Sequence, residues 1–230
     1  MAQLPEYAII VAGGSGSRMQ HDQPKQFIGV AGKPILMHTI ERFYKYNPAI
    51  GLVVVLPVQQ LDTWRALCRK YNFTIPHQVV TGGATRFASV KNGLEALRGE
   101  ALVAVHDGVR PFVDTATIKA VYEAAAKYGS AVVAVSPKDS IRELTASGSK
   151  AVPRAGYKLV QTPQCFRVGI LRQAYEQPEQ AHFTDDATVV ESIGESITLV
   201  EGSYRNIKIT TPEDLILAEA FARSGLGFKG

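Results

Sequence analysis

Continuously apolar segments alternate with segments of helical periodicity along most of the chain. The segment 52–56 is apolar at every position, which is typical of a strand buried on both faces of a parallel sheet. The pattern predicts strands over 7–11, 51–56, 77–80, 101–105, 131–135 and 197–200. It predicts helices over 34–45, 59–71, 86–97, 114–128, 168–176, 185–192 and 212–223. The predicted fold class is therefore α/β, a Rossmann-like three-layer arrangement with helices on both faces of a mainly parallel sheet.

Residues 137–163 interrupt this alternation with short β-like pieces, a polar turn at 146–149, and prolines at 153 and 163. A connection of this length is uncommon inside a compact α/β domain, so we predict a protruding β-arm on a single domain spanning 1–230. The arm carries apolar residues that need a surface to pack on: Ile141, Leu144, Val152, Leu159 and Val160. A second copy of the chain is the simplest such surface, which predicts dimerisation through the arm. Folding of the arm back onto its own domain is the alternative.

The composition excludes several classes of protein. The 230 residues are 46% hydrophobic and 20% charged with a formal net charge of +4, as in an ordinary globular enzyme for anionic metabolites. No run of five basic residues occurs, so we expect no nucleic-acid partner. No apolar stretch approaches the roughly 20 residues that span a bilayer, which predicts no membrane contact. The two isolated cysteines, Cys68 and Cys165, and a start without signal-peptide features predict a cytoplasmic location.

The predicted strand 7–11 runs directly into a glycine-rich loop. Glycines at positions 13, 14 and 16 leave the main chain open to a bulky anion, whose oxygens the N–H groups of the loop can bind. Arg18 and Lys25 add two positive charges just downstream. The combination favours a nucleoside triphosphate held by backbone amides beside two cations. A tight strand-to-helix turn with incidental basic residues is the alternative.

Two familiar phosphate motifs do not fit this loop. The Walker loop requires a Lys-Ser/Thr pair where the chain has Ser17-Arg18, and the dinucleotide fingerprint requires a third glycine where Met19 stands. The pattern that remains is Ala-Gly-Gly-x-Gly-x-Arg-Met, with a Pro-Lys pair that ends seven residues beyond the arginine. This pattern resembles that of the sugar-phosphate nucleotidyltransferases.

Two further predicted strands end in polar residues, and ligands of open parallel sheets bind beyond the carboxyl ends of the strands. Residues 81–86 follow strand 77–80 and hold two glycines, with Ser89 one helical turn beyond Arg86, where its hydroxyl could bind a nucleobase. A plain helix-capping loop is the alternative there. Residues 106–111 follow strand 101–105, where Asp107 and Arg110 suit contacts with ribose or metal and with phosphate. A structural Asp107–Arg110 pair is the alternative, and His106 is interpreted as a structural histidine.

A fourth polar segment, 206–210, precedes the capped helix 212–223. Alternation points Asn206 and Lys208 the same way, while Ile207 and Ile209 face the core. Lys208 at this edge could meet a phosphate, or it could be a solvated lysine; periodicity alone leaves both open.

Seven short motifs in order carry a closer resemblance: Ala-Gly-Gly-Ser-Gly-Ser-Arg-Met, Pro24-Lys25-Gln26-Phe27, Gly82-Gly83-x-x-Arg86-x-x-Ser89, His106-Asp107-Gly108-Val109-Arg110-Pro111, Thr162-Pro163-Gln164, Thr184-Asp185-Asp186 and Asn206-Ile207-Lys208. Together they closely resemble the 2-C-methyl-D-erythritol 4-phosphate cytidylyltransferases, from position 7 to about 221. Enzymes that make CDP-ribitol from ribitol 5-phosphate share several of these motifs. The acceptor substrate is therefore less specifically indicated than the reaction type.

The resemblance implies a role for each matching position. The residues implied to stabilise the transition state are Arg18, Lys25 and Lys208. Those implied to bind the nucleotide are Ala12, Gly13, Gly14, Ser15, Gly16, Ser17, Gly82, Gly83, Arg86, Ser89, Asp107 and Gly108. Those implied to bind the acceptor are Arg110, Ser140, Arg154, Thr184 and Asn206. In this family the matches of Ser140 and Arg154 come from the arm of the neighbouring subunit, which agrees with the predicted homodimer.

Three positions depart from the pattern of some members. Ala84 stands where some have an acid near the base and ribose, Ser140 replaces a threonine, and Arg205 stands where some carry an aspartate near the substrate hydroxyls. These departures concern recognition of base and polyol rather than the chemistry.

The reaction implied is transfer of CMP from CTP to 2-C-methyl-D-erythritol 4-phosphate, with release of pyrophosphate, as in the non-mevalonate route to isoprenoid precursors. The acceptor phosphate is already anionic near neutral pH, because the second pKa of a phosphate monoester is about 6, so the reaction needs no general base. We expect Mg²⁺ as cofactor, held mainly by the phosphates of CTP and not by a protein metal site. The alternatives are a ribitol-5-phosphate cytidylyltransferase and a non-catalytic CTP-binding sensor.

Overall fold

The computed structural model describes residues 4–14 and 23–225. The strands are β1 (Glu6–Val11), β2 (Gly29–Val30), β3 (Lys33–Pro34), β4 (Gly51–Leu56), β5 (Gln78–Thr81), β6 (Leu102–Asp107), β7 (Ser130–Val135), β8 (Ile141–Thr145), β9 (Gly148–Val152), β10 (Leu159–Arg167) and β11 (Thr198–Glu201). The α-helices are α1 (Ile35–Tyr46), α2 (Leu61–Lys70), α3 (Arg86–Glu95), α4 (Thr115–Tyr128), α5 (Val168–Glu176), α6 (Asp186–Glu191) and α7 (Pro212–Arg223). Short 3₁₀ helices cover Lys25–Phe27, Val58–Gln60 and Arg154–Gly156.

Within the described residues, seven strands form the central sheet in the order β11-β7-β10-β6-β1-β4-β5. β10 is antiparallel to both of its neighbours, β6 and β7, and the other pairs are parallel. The parallel strands therefore end at one common edge, where the loops that follow β1, β5 and β6 come together. The predicted mainly parallel sheet is confirmed.

Alternating residues of the central strands face two separate apolar cores. In β1, Ala8 and Ile10 pack with residues of α1 and α4 on one face of the sheet. Ile9 packs on the other face with residues of α3, α5 and α6. Because each face is covered by helices, the strands are apolar at nearly every position, and the predicted three-layer arrangement is confirmed.

The predicted strands and helices all occur, with each boundary within two residues of its predicted position. The segment 137–163 is the main difference. Its hairpin, β8 paired with β9, forms a separate two-stranded sheet, but its last five residues, 159–163, belong to β10 of the central sheet. The prediction of arm residues there missed a sheet strand, because polar Gln161, Thr162 and Gln164 interrupt the apolar pattern although all three are buried.

The arm exposes apolar side chains in the single chain. Leu144 at the hairpin is 85% exposed, and Leu159 and Val160, where the chain re-enters the sheet, are about half exposed. Most of the surface of Leu144 and about half of that of Leu159 and Val160 is therefore not covered by their own chain. None of the helices in the described part of the chain combines the length and apolar character that crossing a bilayer requires.

Candidate active site

Two adjoining cavities lie at the carboxyl edge of the parallel strands. The first, about 360 Å³, lies between the end of β1, the 3₁₀ helix Lys25–Phe27, the loop before α3 and the end of β6. The second, about 250 Å³, lies between the end of β6, β10 and the start of α6. Arg86, Asp107 and Lys208 line both cavities and form the wall between them.

The loop after β1 forms one side of the first cavity. The N–H of Ala12 donates to the carbonyl oxygen of Val55 at 2.9 Å, which fixes the start of the loop beside β4. A Cβ on Gly14 would lie 3.0 Å from the Nζ atom of Lys25, so the ammonium group lies directly over the main chain of this glycine. The predicted site residues Ser15, Gly16, Ser17 and Arg18 lie outside the described residues.

The position of Lys25 is set by its neighbours in the 3₁₀ helix. Phe27 is buried and stacks on Trp64 of α2 with ring centroids 6.0 Å apart. Gln26 is fully buried and donates from Nε2 to the carbonyl oxygen of Ala12 at 2.7 Å and to Oε1 of Gln60. Gln26 thus ties the glycine loop to the segment that carries Lys25. The side-chain oxygen of Gln26 accepts no hydrogen bond within the described residues, which makes it a buried acceptor on the wall of the cavity.

The loop before α3 forms the opposite side. Thr85 caps the helix by accepting from the N–H of Ala88 at 3.0 Å. The hydroxyl of Ser89 donates to the carbonyl oxygen of Thr85 at 2.8 Å and accepts from the N–H of Gly83 at 3.1 Å. Ser89 and Gly83 line the cavity, whereas Gly82 lies behind the loop, where its N–H donates to the carbonyl oxygen of Leu56. The main contacts of Ser89 therefore fix the shape of the loop.

Arg86 is held in the wall by a buried carboxylate. Its Nη1 and Nη2 atoms donate to Oδ1 and Oδ2 of Asp186 at 3.1 and 2.6 Å. Asp186, the first residue of α6, is fully buried, and its Oδ1 also accepts from the hydroxyl of Tyr175 at 2.7 Å. Although burial opposes the charged form, Asp186 raises the pKa of the Arg86 guanidinium above its usual value, so this group stays charged.

Asp107 is surrounded by three cations. Its Oδ2 accepts from Arg110 Nε and Lys208 Nζ, each at 3.1 Å, and its Oδ1 lies 4.0 Å from Nε of Arg86. Burial alone would raise the pKa of this carboxyl group, but Lys208, Arg86 and Arg110 outweigh it and hold the pKa well below its usual range. The described residues that line the two cavities include four cations, these three and Lys25, against two carboxylates, Asp107 and Asp185. Such an excess suits anionic ligands.

Lys208 reaches the wall from the loop before α7. The segment 206–210 is not a strand, but Ile209 is fully buried and its N–H donates to the carbonyl oxygen of Val109 at 3.0 Å. This bond holds the segment against the β6–α4 loop. The expected alternation is confirmed only in part, because Asn206 points inward and Lys208 outward to Asp107.

Asn206 lies beneath the second cavity and does not line it. Its Nδ2 donates to the carbonyl oxygen of Thr162 at 2.8 Å and to Oε1 of Gln161 at 3.2 Å, and its backbone carbonyl oxygen accepts from Arg110 Nη1 at 2.8 Å. The backbone of this residue therefore positions Arg110. The structural Asp107–Arg110 pair, given above as the alternative to ligand contacts, is present. Thr184, predicted to bind the acceptor, lines the second cavity.

Gly108 has a packing role. A Cβ at this position would lie 2.9 Å from Cβ of Ala12 and 3.2 Å from the carbonyl oxygen of Val11. Its N–H donates to that same oxygen at 2.8 Å. The absence of a side chain lets the loops after β1 and β6 meet, although Gly108 itself does not line either cavity.

The two arm residues predicted to bind the acceptor are not brought into the cavities of their own chain. Ser140 is exposed, and Arg154 donates to the carbonyl oxygen of Lys138 within the arm. No described residue of 136–158 lines either cavity.

His106 is a structural histidine, as predicted. It is fully buried, with Nδ1 3.0 Å from Oγ1 of Thr162 and Nε2 3.1 Å from the carbonyl oxygen of Arg110. Burial lowers the pKa of its imidazole from 6.5 to about 4, so the ring is neutral at pH 7. It tethers β10 to the β6–α4 loop.

Sequence reasoning assigned no role to Asp186, Gln26 or Gln164. Each is a polar residue buried next to a predicted site residue. Gln164 bonds to Asp185 and to the N–H of Ala187 and so fixes the start of α6 against β10. Their occurrence in the motifs quoted above was the one sign in the sequence that they matter. A single sequence does not show that these polar side chains are buried. Among the described residues, no group of three or more His, Cys, Asp or Glu side chains is placed to hold a metal ion.

The chain matches known proteins over nearly its whole length. The family model described as 2-C-methyl-D-erythritol 4-phosphate cytidylyltransferase matches residues 7–224. The chain is 51% identical to the protein of that name from Phocaeicola vulgatus, over 94% of this chain and 99% of that one. It is 50% identical to the one from Bacteroides thetaiotaomicron, over 94% and 99%.

Solved structures agree. The crystal structure of 4-diphosphocytidyl-2C-methyl-D-erythritol synthase from Anaerococcus prevotii superposes with a TM-score of 0.82 at 30% identity, over 96% of each chain. That of the Thermus thermophilus 2-C-methyl-D-erythritol 4-phosphate cytidylyltransferase superposes with a TM-score of 0.77 at 33% identity, over 96% of this chain and all of that one. The chain therefore belongs to the 2-C-methyl-D-erythritol 4-phosphate cytidylyltransferase family.

Proposed function

We propose that CTP binds in the first cavity, that 2-C-methyl-D-erythritol 4-phosphate binds in the second, and that they react at the wall between the two. The family's activity is CMP transfer from CTP to this acceptor. The observation that carries the proposal is the shared wall, in which Arg86, Asp107 and Lys208 line both cavities. A wall common to two cavities lets two substrates bind separately and still bring their reacting phosphates within a few ångströms.

The proposed chemistry is a direct in-line displacement. An oxygen of the acceptor phosphate attacks the α-phosphorus of CTP, a new P–O bond forms as the bond to the β-phosphate oxygen breaks, and pyrophosphate leaves. The nucleophile is a dianion above pH of about 6, so no proton must be removed. His106, buried and with its pKa lowered to about 4, is then not needed as a base.

The protein's task is electrostatic. Two substrates that both carry negative charge repel each other, and further charge develops on the oxygens of the α-phosphate in the transition state. Lys25 over Gly14 and Lys208 at the wall supply positive charge on the two sides of the reacting centre. Arg18 is proposed to do the same from the glycine loop. The backbone N–H groups of residues 13–17 are proposed to hold the triphosphate, since that of Ala12 donates to Val55.

Mg²⁺ is proposed as the cofactor. Asp107, the carboxylate in the wall, is surrounded by Arg86, Arg110 and Lys208, so it is not free to be a main metal ligand. This donor set fits a metal ion bound chiefly by triphosphate oxygens and water. When bound there, the ion would neutralise part of the triphosphate charge.

The active form is proposed to be a homodimer in the cytoplasm. The arm, with Leu144 85% exposed, presents apolar surface that its own chain does not cover. Ser140 and Arg154 lie on this arm, and we propose that they reach the acceptor cavity of the second copy. The free thiols of Cys68 and Cys165 fit a reducing compartment.

A pyrophosphate-release assay tests the proposal. CTP, UTP and ATP are each combined with 2-C-methyl-D-erythritol 4-phosphate and with ribitol 5-phosphate. We expect turnover with CTP and methylerythritol phosphate, and little with the other combinations. Faster turnover with ribitol 5-phosphate would contradict the acceptor assignment, and no release with either acceptor would favour a CTP-binding sensor.

A pair of lysine variants completes the test. Lys25→Ala should abolish most of the release, whereas Lys119→Ala, which removes a lysine exposed on α4, should not change it. Equal activity of the two variants would remove Lys25 from the mechanism.

A further inference from the structure

The Arg86–Asp186 ion pair joins the loops that form the two cavities. Arg86 is the first residue of α3 and directly follows the loop of Gly83 and Thr85 on the first cavity. Asp186 is the first residue of α6 and directly follows Thr184 and Asp185 on the second. The two residues are 100 positions apart in the sequence, and two hydrogen bonds of 3.1 and 2.6 Å connect them.

Asp186 is fixed on the side of the second cavity. Asp186 is fully buried, and its Oδ1 also accepts from the hydroxyl of Tyr175 in α5 at 2.7 Å. α6 is further held against β10 because Gln164 bonds to both Asp185 and the N–H of Ala187 at 2.9 Å. The carboxylate therefore has little freedom to follow Arg86 if the guanidinium moves.

The alternative partner of Arg86 lies close by. Its Nε atom is 4.0 Å from Oδ1 of Asp107, whose other oxygen holds Arg110 and Lys208. Without the grip of Asp186, the guanidinium would turn onto Asp107 and weaken the hold of that carboxylate on Lys208. A change at the buried end of the pair would then reach the side chains that face both substrates.

We propose that Asp186 is a positioning residue that couples binding of the nucleotide to binding of the acceptor, by holding Arg86 in the wall between the two cavities. The inference rests on the proposed assignment of the cavities to CTP and to the acceptor. A substrate that contacts Arg86 from one cavity also fixes the guanidinium at the face of the other cavity, so the second substrate binds more tightly than it would alone. Asp186 contacts neither substrate in this account.

The coupling predicts a specific binding signature. Titration with a CTP analogue whose α,β-bridging oxygen is replaced by CH₂, so that it cannot react, gives the factor by which saturating acceptor lowers the Kd of the nucleotide. Coupling between sites is typically worth about 5- to 150-fold, and we expect the wild-type factor to lie in this range. Asp186→Asn keeps the shape of the side chain but removes its charge, and it should bring the factor to within about twofold of one. It should raise both KM values more than it lowers kcat, because Lys25 is not in contact with the ion pair and Lys208, although held less firmly, keeps its charge in the wall.

Two further variants separate positioning from general support of the fold. Val190→Ala creates a space beneath α6 without touching a charged group, since Val190 is fully buried in the core on that face. It should lower the melting temperature but leave the coupling factor at the wild-type value. Arg86→Lys keeps the positive charge but cannot form the two-pronged pair with Asp186, and it should lower the coupling factor as Asp186→Asn does. If Asp186→Asn does not fold, Arg86→Lys tests whether the ion pair is needed for the coupling.

Three results would overturn the inference: a wild-type factor of one, a wild-type factor retained in Asp186→Asn or Arg86→Lys, or an equal loss of the factor in Val190→Ala. Failure of the proposed function is distinguishable, because the wild-type chain would then release no pyrophosphate with this pair of substrates.

Discussion

Substitution of Gly83 by alanine tests the first cavity with a single methyl group. A Cβ at this position would lie 2.4 Å from the Cβ of Ala88 and 3.1 Å from its carbonyl carbon. Non-bonded carbon atoms approach to about 3.5–4.0 Å, so the loop must move by about 1 Å or more away from α3. The obstacle is helix backbone and a methyl group, neither of which can rotate away. The movement would also break the bond from the Gly83 N–H to Ser89.

Two effects of different size follow from this displacement. Overpacking of this kind costs about 1–3 kcal/mol of stability. A shift of about 1 Å in a group that positions substrate can cost about 10²-fold in rate, so kcat/KM for CTP should fall by about that factor. The loss should appear mainly in the KM for CTP, because Lys25 and Lys208 lie outside this loop.

The assay is pyrophosphate release over a range of CTP concentrations at saturating acceptor, together with thermal unfolding. Gly29→Ala is the matched control, because a Cβ there would meet no atom within 4 Å. It should leave both kcat/KM and the melting temperature near those of the wild type. A folded Gly83→Ala with an unchanged KM for CTP would refute the placement of the nucleotide against this loop.

Further predictions concern Lys25, Arg154 and His106. Lys25→Ala should lower kcat by about 10²–10³, as loss of one charge-stabilising donor does, with little change in the melting temperature. When Arg154→Ala chains are mixed with Lys25→Ala chains and subunit exchange is verified, hybrid dimers should regain activity. No recovery would argue against sites shared between subunits. Because burial lowers the pKa of His106 from 6.5 to about 4, the unfolded chain binds more protons between these values. The free energy of unfolding should therefore fall as the pH falls from about 6.5 to 4, by up to about 3 kcal/mol from this residue. Denaturant unfolding at pH 7 and pH 4.5 checks this: His106→Gln should show a smaller fall than the wild type, and an equal fall would contradict the assignment.

The elements of the sheet could be predicted because apolar periodicity reports burial directly. The segment 51–56 reads as a strand buried on both faces, and the structure has β4 at Gly51–Leu56. The bounds of the helix at 212–223 were predicted from its proline and capping residues, and they are confirmed. Both features depend on residues close together in the sequence, and a single chain shows them in full.

β10 could not be found in the same way. Its centre holds Gln161, Thr162 and Gln164, whose polar side chains are buried because they bond to Asn206, His106 and the start of α6. A local pattern of apolar and polar positions cannot distinguish loop residues from buried polar residues whose hydrogen-bond partners lie 20 to 60 positions away. The predicted arm therefore extended five residues into the sheet.

The site residues that lie in loops after strands could be predicted from the sequence. Gly83, Asp107 and Lys208, chosen as residues at the ends of predicted strands or next to a capped helix, all line the first cavity. The buried partners were not predictable, since the pairing of Arg86 with Asp186 depends on the way α6 returns to α3. The roles of Asn206 and Gly108 also follow from packing that no local pattern reports.

A crystal structure of the chain with CTP and Mg²⁺ would decide where the nucleotide binds. We expect the triphosphate against residues 12–18, with Nζ of Lys25 within about 3 Å of a phosphate oxygen and the base beside the loop of Gly83. A triphosphate bound anywhere else on the chain, or bound with Lys25 turned away from it, would contradict the account.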